Sequence, residues 1–155
     1  MRDAFTHYQS FQTTALTVLA IWGGLNLVGG GVLWLRSAGQ WHNFGGICAA
    51  WGIVNLAIGG IQLITQRNAA APEVLSTALK GGITNLQLVT GFWISDFATI
   101  AIGIVFLLPQ IALRSDGLQG TGKGLILQGA FLAIFDVFLL AGINGYVQSL
   151  LRLVP

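Results

Sequence analysis

Four long apolar stretches constrain this chain more than any other feature of its sequence. Each runs for about 20 residues, which is the length that an α-helix needs to cross the hydrocarbon core of a bilayer. Segments of about 10 residues with alternating polarity, the pattern of a membrane β-barrel strand, do not occur in the sequence. The predicted membrane spans are 15–35, 44–64, 88–108 and 125–145.

The composition excludes a soluble globular protein. Charged residues make up 8% of the 155 residues and hydrophobic residues 54%, and the mean hydropathy is +0.76. An average soluble domain carries about 25% charged residues. The basic residues are scattered rather than clustered, so the expected partner is the lipid bilayer and not nucleic acid. The single Cys48 excludes an internal disulfide, and no metal centre is expected within one chain.

The connections predict an all-α, up-down-up-down bundle of four transmembrane helices. Segment 37–43 is short, so the first two spans are antiparallel neighbours. Segment 114–124 is rich in glycine and is predicted to be a solvated turn. The chain is expected to form a single transmembrane domain, 1–155.

The second connection, 66–85, is the longest. Pro72 and Glu73 resemble the first turn of a helix, and the apolar residues after them could form one face that ends at Gly81. This stretch is either a short helix lying on the membrane surface or a plain mobile loop.

The first two spans share an internal repeat. Both contain the pattern W-G-x-x-N-L-x-x-G-G, which begins at Trp22 in the first span and at Trp51 in the second. Within each copy the Trp, the Asn and the first Gly of the closing pair recur at intervals of four residues, so they lie close to one face of the helix.

Each predicted span places one Asn or Asp at about the middle of the membrane. These residues are Asn26, Asn55, Asp96 and Asp136, and Gln128 lies two turns before Asp136. A central acid that faced lipid would cost roughly 2.5–3.5 kcal/mol on insertion scales. The polar side chains are therefore expected to point inward and to meet in a polar centre.

This polar centre has two interpretations. In the structural one, hydrogen bonds between the helices fix their register, each worth about 0.6 kcal/mol in a membrane protein. In the functional one, Asp96 and Asp136 bind a cation, shuttle a proton or hold a small ligand. Two acids that face each other at low dielectric cannot both ionise cheaply, so one keeps a proton. The unbroken spans argue against a transport pathway, which usually contains broken helices.

A stripe of small residues runs along the third span at strict four-residue spacing. Such stripes let helices approach closely, and packing within the chain is favoured over packing against another subunit. The stripe consists of Gly91, Ser95, Thr99 and Gly103.

Motifs of catalytic chemistry are absent, so the protein is expected not to be an enzyme. The glycine-rich segment 117–124 differs from a P-loop because Gly124 rather than Ser or Thr follows Lys123. His42, between Trp41 and Asn43 at the membrane interface, could serve as an axial ligand to haem or to a chlorophyll magnesium, although a histidine satisfied at the interface is favoured. The cofactor is unknown.

Two segments resemble an uncharacterised family of small bacterial four-helix membrane proteins, a domain of unknown function. Segment 51–59 is similar to its W-N-x-V-N-L-x-I-A/G pattern, and segment 124–136 to its G-x-x-L-Q-G-x-F-L-x-x-F-D pattern. The family histidine six residues before the tryptophan is replaced by Gly45 here, so no role transfers to His42. The resemblance implies the four-helix fold and a membrane location, but no activity.

The first functional hypothesis is a non-enzymatic accessory or scaffold subunit of a larger membrane assembly, or a homo-oligomer. The alternatives are ligand, proton or cation handling by the polar centre and a pigment- or haem-associated subunit. The expected location is a bacterial inner or internal membrane. A count of four basic residues against three favours cytoplasmic termini.

Overall fold

The computed structural model describes residues 1–112 and 115–154. Two predicted boundaries lie outside the described residues. The third connection was predicted to begin at Arg114, and the domain was predicted to end at Pro155. The described chain forms five helices and no strand, which confirms the predicted all-α class. They are α1 (Arg2–Arg36), α2 (Gly39–Arg67), α3 (Leu75–Leu107), α4 (Pro109–Ala112) and α5 (Asp116–Leu151).

The four long helices are each long and apolar enough to cross a membrane. α1, α2 and α5 each contain one predicted span and extend beyond it at both ends, whereas α3 begins 13 residues before its predicted span and ends one residue short of it, at Leu107. At 1.5 Å per residue, the 35 residues of α1 reach about 50 Å, against about 30 Å for the hydrocarbon core. α1 is therefore longer than a crossing of the hydrocarbon core requires.

The outward surface is apolar and the interior is partly polar, as expected for a protein surrounded by lipid. Leu35 is 79% exposed and Val28 69% exposed, whereas Gln128 is fully buried. Burial of apolar area from water cannot order such a bundle, so close packing and internal hydrogen bonds must do so.

Contacts between glycines and neighbouring helices give the helix directions. Gly23 meets Gly52 and Gly30 meets Gly45, so α1 and α2 are antiparallel. The α3 residue Gly103 lies against Gly122 of α5, while the opposite ends of these two helices meet at Gly82, so α3 and α5 are antiparallel as well. The arrangement is up-down-up-down, as predicted.

The bundle consists of two tight helix pairs. α1 packs on α2, α3 packs on α5, and the pairs meet mainly along α2 and α5. No Cα atom of α1 or α2 lies within 8 Å of one in α3 over their described residues. The seam between α3 and the first pair is therefore closed only by side chains.

The predicted solvated turn at 114–124 is wrong, because α5 begins at Asp116. The Ser115 side chain caps this helix by accepting a hydrogen bond from the Leu118 amide at 3.4 Å. Gly120 and Gly124 are buried against α2, where added Cβ atoms would strike the Gln40 carbonyl and the Ile47 side chain. Glycine marks close helix contact here rather than a turn in water.

The second connection does not contain a separate surface helix. The segment after Pro72 becomes helical at Leu75, but it continues without a break as the first turns of α3. Ala78 is buried in an apolar cluster with Tyr146 and Leu150 of α5. This packing holds the segment along the bundle instead of across it.

Candidate functional site

Asp96 of α3 and Asp136 of α5 form a pair in the interior of the bundle. Asp96 and Asp136 are 7% and 6% exposed, and their carboxyl groups are close enough to interact with each other. The helices approach closely here because α5 has Gly129, whose added Cβ would lie 2.9 Å from the Asp96 carbonyl oxygen. The two acids that were predicted to meet are therefore brought together.

The electrostatics of this pair follow from its surroundings. Lys80 and Lys123, the basic residues of α3 and α5, lie several helical turns away along the chain. Neither lysine is therefore placed to neutralise two negative charges at this depth. Two adjacent carboxylates repel strongly at low dielectric, and a proton shared between them removes that repulsion.

Gln128 joins α5 to α1 through a complete hydrogen-bond network. Its Nε2 donates to Asn26 Oδ1 at 2.6 Å, and its Oε1 accepts from Trp22 Nε1 at 3.1 Å. The Asn26 amide in turn donates to the Trp22 backbone carbonyl at 2.8 Å. The Trp22 ring also stacks on Phe131 with centroids 4.0 Å apart. In this part of the predicted polar centre, the side chains of Asn26 and Gln128 are therefore engaged in structural hydrogen bonds.

Asn55 differs from its repeat counterpart Asn26. Its side chain is 2% exposed, yet its Nδ2 has no hydrogen-bond partner among the described residues, and neither does Oδ2 of Asp96. An unsatisfied buried polar group costs about 1–3 kcal/mol. The polar centre therefore keeps one donor and one acceptor available for bonding.

The helix register places these available groups at similar depth. Ile47 of α2 meets Gly124 of the parallel α5, so Asn55, two turns further on, is opposite the turn of α5 around Leu132. The Asp96 backbone meets the same helix at Gly129. The depths of Asn55 and Asp96 thus differ by about one helical turn or less.

A second polar cluster lies at the end of the bundle that holds the N-terminus, and sequence reasoning missed it. The Tyr8 hydroxyl accepts from Gln12 Nε2 at 2.8 Å and from Asn85 Nδ2 at 3.2 Å. Gln66 Nε2 donates to Gln12 Oε1 at 2.5 Å, and the Tyr8 ring stacks on Tyr146 with centroids 4.3 Å apart. The spacing of these amides from the central ones could have revealed the cluster, because Gln12 precedes Asn26 by four turns on the same helix face.

A pocket of about 150 Å³ lies beside this cluster, where α3 stands away from α1 and α2. Three amide side chains line it together with apolar ones. The lining is Gln12, Leu16, Gln62, Asn85, Leu88, Val89, Phe92, Leu139 and Ile143, hereafter the amide-lined pocket.

A larger hollow of about 190 Å³ lies among α1, α2 and α5. Its lining includes Asn26 and Cys48 and is otherwise almost wholly apolar. The amide of Asn26 is already satisfied by Trp22 and Gln128, so this hollow offers no free polar contact from that residue.

The small-residue stripe of α3 is buried at one end and exposed at the other. Gly103 is buried against Gly122 of α5, as expected for packing within the chain. Gly91 is exposed with no side chain or neighbouring helix within 4 Å of an added Cβ, and Ser95 is exposed too. Thr99 is half-buried.

His42 lies apart from the polar centre, exposed near the start of α2. Its Nδ1 is 2.6 Å from the Trp34 carbonyl oxygen, one of the last carbonyls of α1, which lack partners within the helix. In the described part of the chain no group of three or more His, Cys, Asp or Glu could hold a metal ion. The contact that His42 makes is a cap on α1.

These features define a helical membrane protein with four candidate spans and a buried acid pair. A model of the family of unknown function DUF6992 matches residues 18–137, and the chain belongs to that family. The matched segment contains all five residues of the predicted polar centre. No curated protein and no solved structure is significantly similar to the chain.

Proposed function

We propose that this protein is a non-enzymatic membrane protein whose Asp96–Asp136 pair takes up and releases one proton. The observation that carries the proposal is the burial of both carboxyl groups close to each other, where α3 and α5 approach at Gly129. Ionisable groups inside a membrane are costly and mark proton relays and ion sites in many proteins.

The surroundings of the pair favour a proton over a metal cation. The polar groups of α1 and α2 at this depth are amides, and Asn55 Nδ2, which has no hydrogen-bond partner among the described residues, is a donor. A donor can stabilise the charged state of the pair by hydrogen bonding but cannot coordinate a cation. The loaded state holds one shared proton between Asp96 and Asp136, and the unloaded state holds none.

Infrared difference spectroscopy of the purified protein in lipid vesicles tests this proposal. A protonated carboxyl group has a carbonyl stretch that a carboxylate lacks and that shifts in D2O. We expect this band to appear and disappear with pH in the natural protein and to be absent when Asp96→Asn and Asp136→Asn are combined. The matched control is Asp3→Asn, at an exposed acid in the first turn of α1, which should leave the band unchanged.

The result that overturns the proposal is a band that persists in the double variant or never titrates in the natural protein. Repeating the titration with sodium in place of potassium separates a proton site from a sodium site, because competition by sodium would shift the midpoint. A strong shift of that kind would reassign the pair to cation binding.

A role as an accessory or scaffold subunit is the second candidate. The observation that favours it is the exposed small-residue surface of Gly91 and Ser95, which would let another transmembrane helix approach closely. Native mass spectrometry after gentle extraction should then detect a subunit in fixed ratio or a homo-oligomer that Gly91→Leu disrupts and Gly60→Leu does not. An absorption spectrum of the same sample would detect a bound pigment or haem.

A further inference from the structure

We infer that the amide-lined pocket is the water-filled route through which protons reach the acid pair, and that this route opens only at the end of the bundle that holds the N-terminus. The inference rests on the proposed function and adds the path and the side of access.

The pocket continues the helix faces that carry the polar centre. On α3, Phe92 lines the pocket and Asp96 follows one turn later; on α5, Leu139 lines it one turn after Asp136. Gln62 lines it two turns beyond Asn55 on α2. Residues three, four or seven apart share a helix face, so the inner end of the pocket is about one turn from the pair.

The pocket has the size and the chemistry to hold water. Its volume is about 150 Å³, and one water needs roughly 10–15 Å³ of such volume. The amides of Gln12, Gln62 and Asn85 offer both donors and acceptors at its wall. The surrounding seam is closed by side chains alone, since the α3 backbone stands away from α1 and α2.

Among the described residues, the opposite half of the bundle contains the hollow of about 190 Å³, but the wall of this hollow is almost wholly apolar, and its Asn26 amide is already bonded to Trp22 and Gln128. An added Cβ at Gly103 would lie 2.8 Å from the Gly122 carbonyl oxygen, and one at Gly30 would lie 2.7 Å from the Gly45 carbonyl oxygen. Helix backbones in such contact leave no room for a column of water between them. The Trp22–Asn26–Gln128 network bridges α1 and α5 between this half and the depth of the pair.

Few ionisable groups face this route from the helices packed around it. Each acid of the pair faces the other, and α1 and α2 contribute the amides Asn26 and Asn55 at this depth. Tyr8 and Tyr146 lie at the outer end of the route. Cys48 lies on the far side, beside Gln128.

Cysteine accessibility tests the path in the full-length protein in membranes. Cys48→Ala provides a cysteine-free background, because Cys48 is the single cysteine. A charged, membrane-impermeant methanethiosulfonate reagent reacts with a thiolate, which forms only where water reaches. Gln62→Cys should react at least about tenfold faster than Ile61→Cys, its neighbour at the same depth, because Ile61 is 65% exposed on the lipid side and does not line the pocket.

Two further measurements test the direction. Ile100→Cys, one turn beyond Asp96 toward the glycine-packed end, should remain unlabelled. Labelling of Gln62→Cys in intact cells and in inverted vesicles should occur from one side alone, the side at which an N-terminal tag is accessible. Equal rates at positions 61 and 62, labelling at position 100 or labelling from both sides would overturn the inference.

The outcomes separate the route from the proposed function. If Gln62→Cys reacts as expected but no carboxyl band titrates, the pocket admits water and the proton-binding proposal fails, and the inferred route fails with it. If the band titrates while Gln62→Cys stays unreactive, the proton site stands and its access lies elsewhere. Native-like elution of each variant in size-exclusion chromatography confirms that it is folded.

Discussion

The two halves of this bundle are held together in different ways. In the half with the α1–α2 connection, glycines bring backbones into contact at Gly30, Gly103 and Gly120, and the hollow that remains there is almost wholly apolar. In the half that holds the N-terminus, Tyr8 and Asn85 bridge α1 and α3, whose backbones stay apart, and a pocket lined by amides remains. Glycine contacts are rigid because a backbone cannot move aside, whereas a side-chain bridge can rearrange.

The same contrast appears inside the α1–α2 repeat. Gly23 and Gly52 occupy equivalent positions and pack against each other, so the repeat forms a nearly symmetric antiparallel pair. Asn26 and Asn55 are equivalent too, but Asn26 is bonded to Gln128 while Asn55 Nδ2 has no partner in the described chain. One copy of the repeat therefore contributes a structural amide, and the other contributes an amide that is free to bind.

The largest effect on stability is expected where the backbones of two helices touch. Gly30→Val should lower the free energy of unfolding by about 3 kcal/mol, the upper end of the usual cost of overpacking, because the new Cβ would lie 2.6 Å from the Ala49 amide nitrogen. Gly31→Val is the matched control, since nothing lies within 4 Å of its added Cβ. Thermal unfolding in detergent measures both, and equal effects at the two positions would show that glycine contact does not hold this half together.

The next largest effect on stability distinguishes Asn26 from Asn55, the two equivalent amides of the repeat. Asn26→Val leaves the fully buried Gln128 Nε2 without its acceptor and should cost about 2 kcal/mol. Asn55→Val removes a buried amide whose Nδ2 has no partner among the described residues, so stability should stay the same or rise by up to about 1 kcal/mol.

The two variants should also differ in proton binding. In the proposed function, Asn55 Nδ2 is the donor that bonds the pair when it is charged, so the carboxyl band of Asn55→Val should persist to higher pH than that of the natural protein. Asn26→Val should leave the midpoint of the titration in place. The outcome that contradicts the assigned roles is a loss of stability in Asn55→Val that matches the loss in Asn26→Val.

The sequence predicted the spans and the central polar residues because bilayer thickness and the cost of polar groups in lipid act on each helix separately. It did not predict the start of α5, because a glycine-rich segment such as 116–124 favours turns in water and close packing in a membrane. The sequence also could not predict that Asn26 is hydrogen-bonded while Asn55 Nδ2 has no partner in the described chain. That difference depends on which helix packs opposite each amide.

The smallest expected effect lies in the open half, at Tyr8. Tyr8→Phe keeps the ring stacked on Tyr146 but removes the hydroxyl that accepts from Gln12 and Asn85. Interhelical hydrogen bonds in membrane proteins average about 0.6 kcal/mol, and water can replace this one near the headgroups, so the unfolding free energy should fall by no more than about that amount. The labelling rate of Gln62→Cys should rise in the Tyr8→Phe background, because the bridge that closes the seam between α1 and α3 is then weaker. A loss of stability as large as that of Gly30→Val, with no change in labelling, would mean that the two halves are equally rigid and that the comparison between them fails.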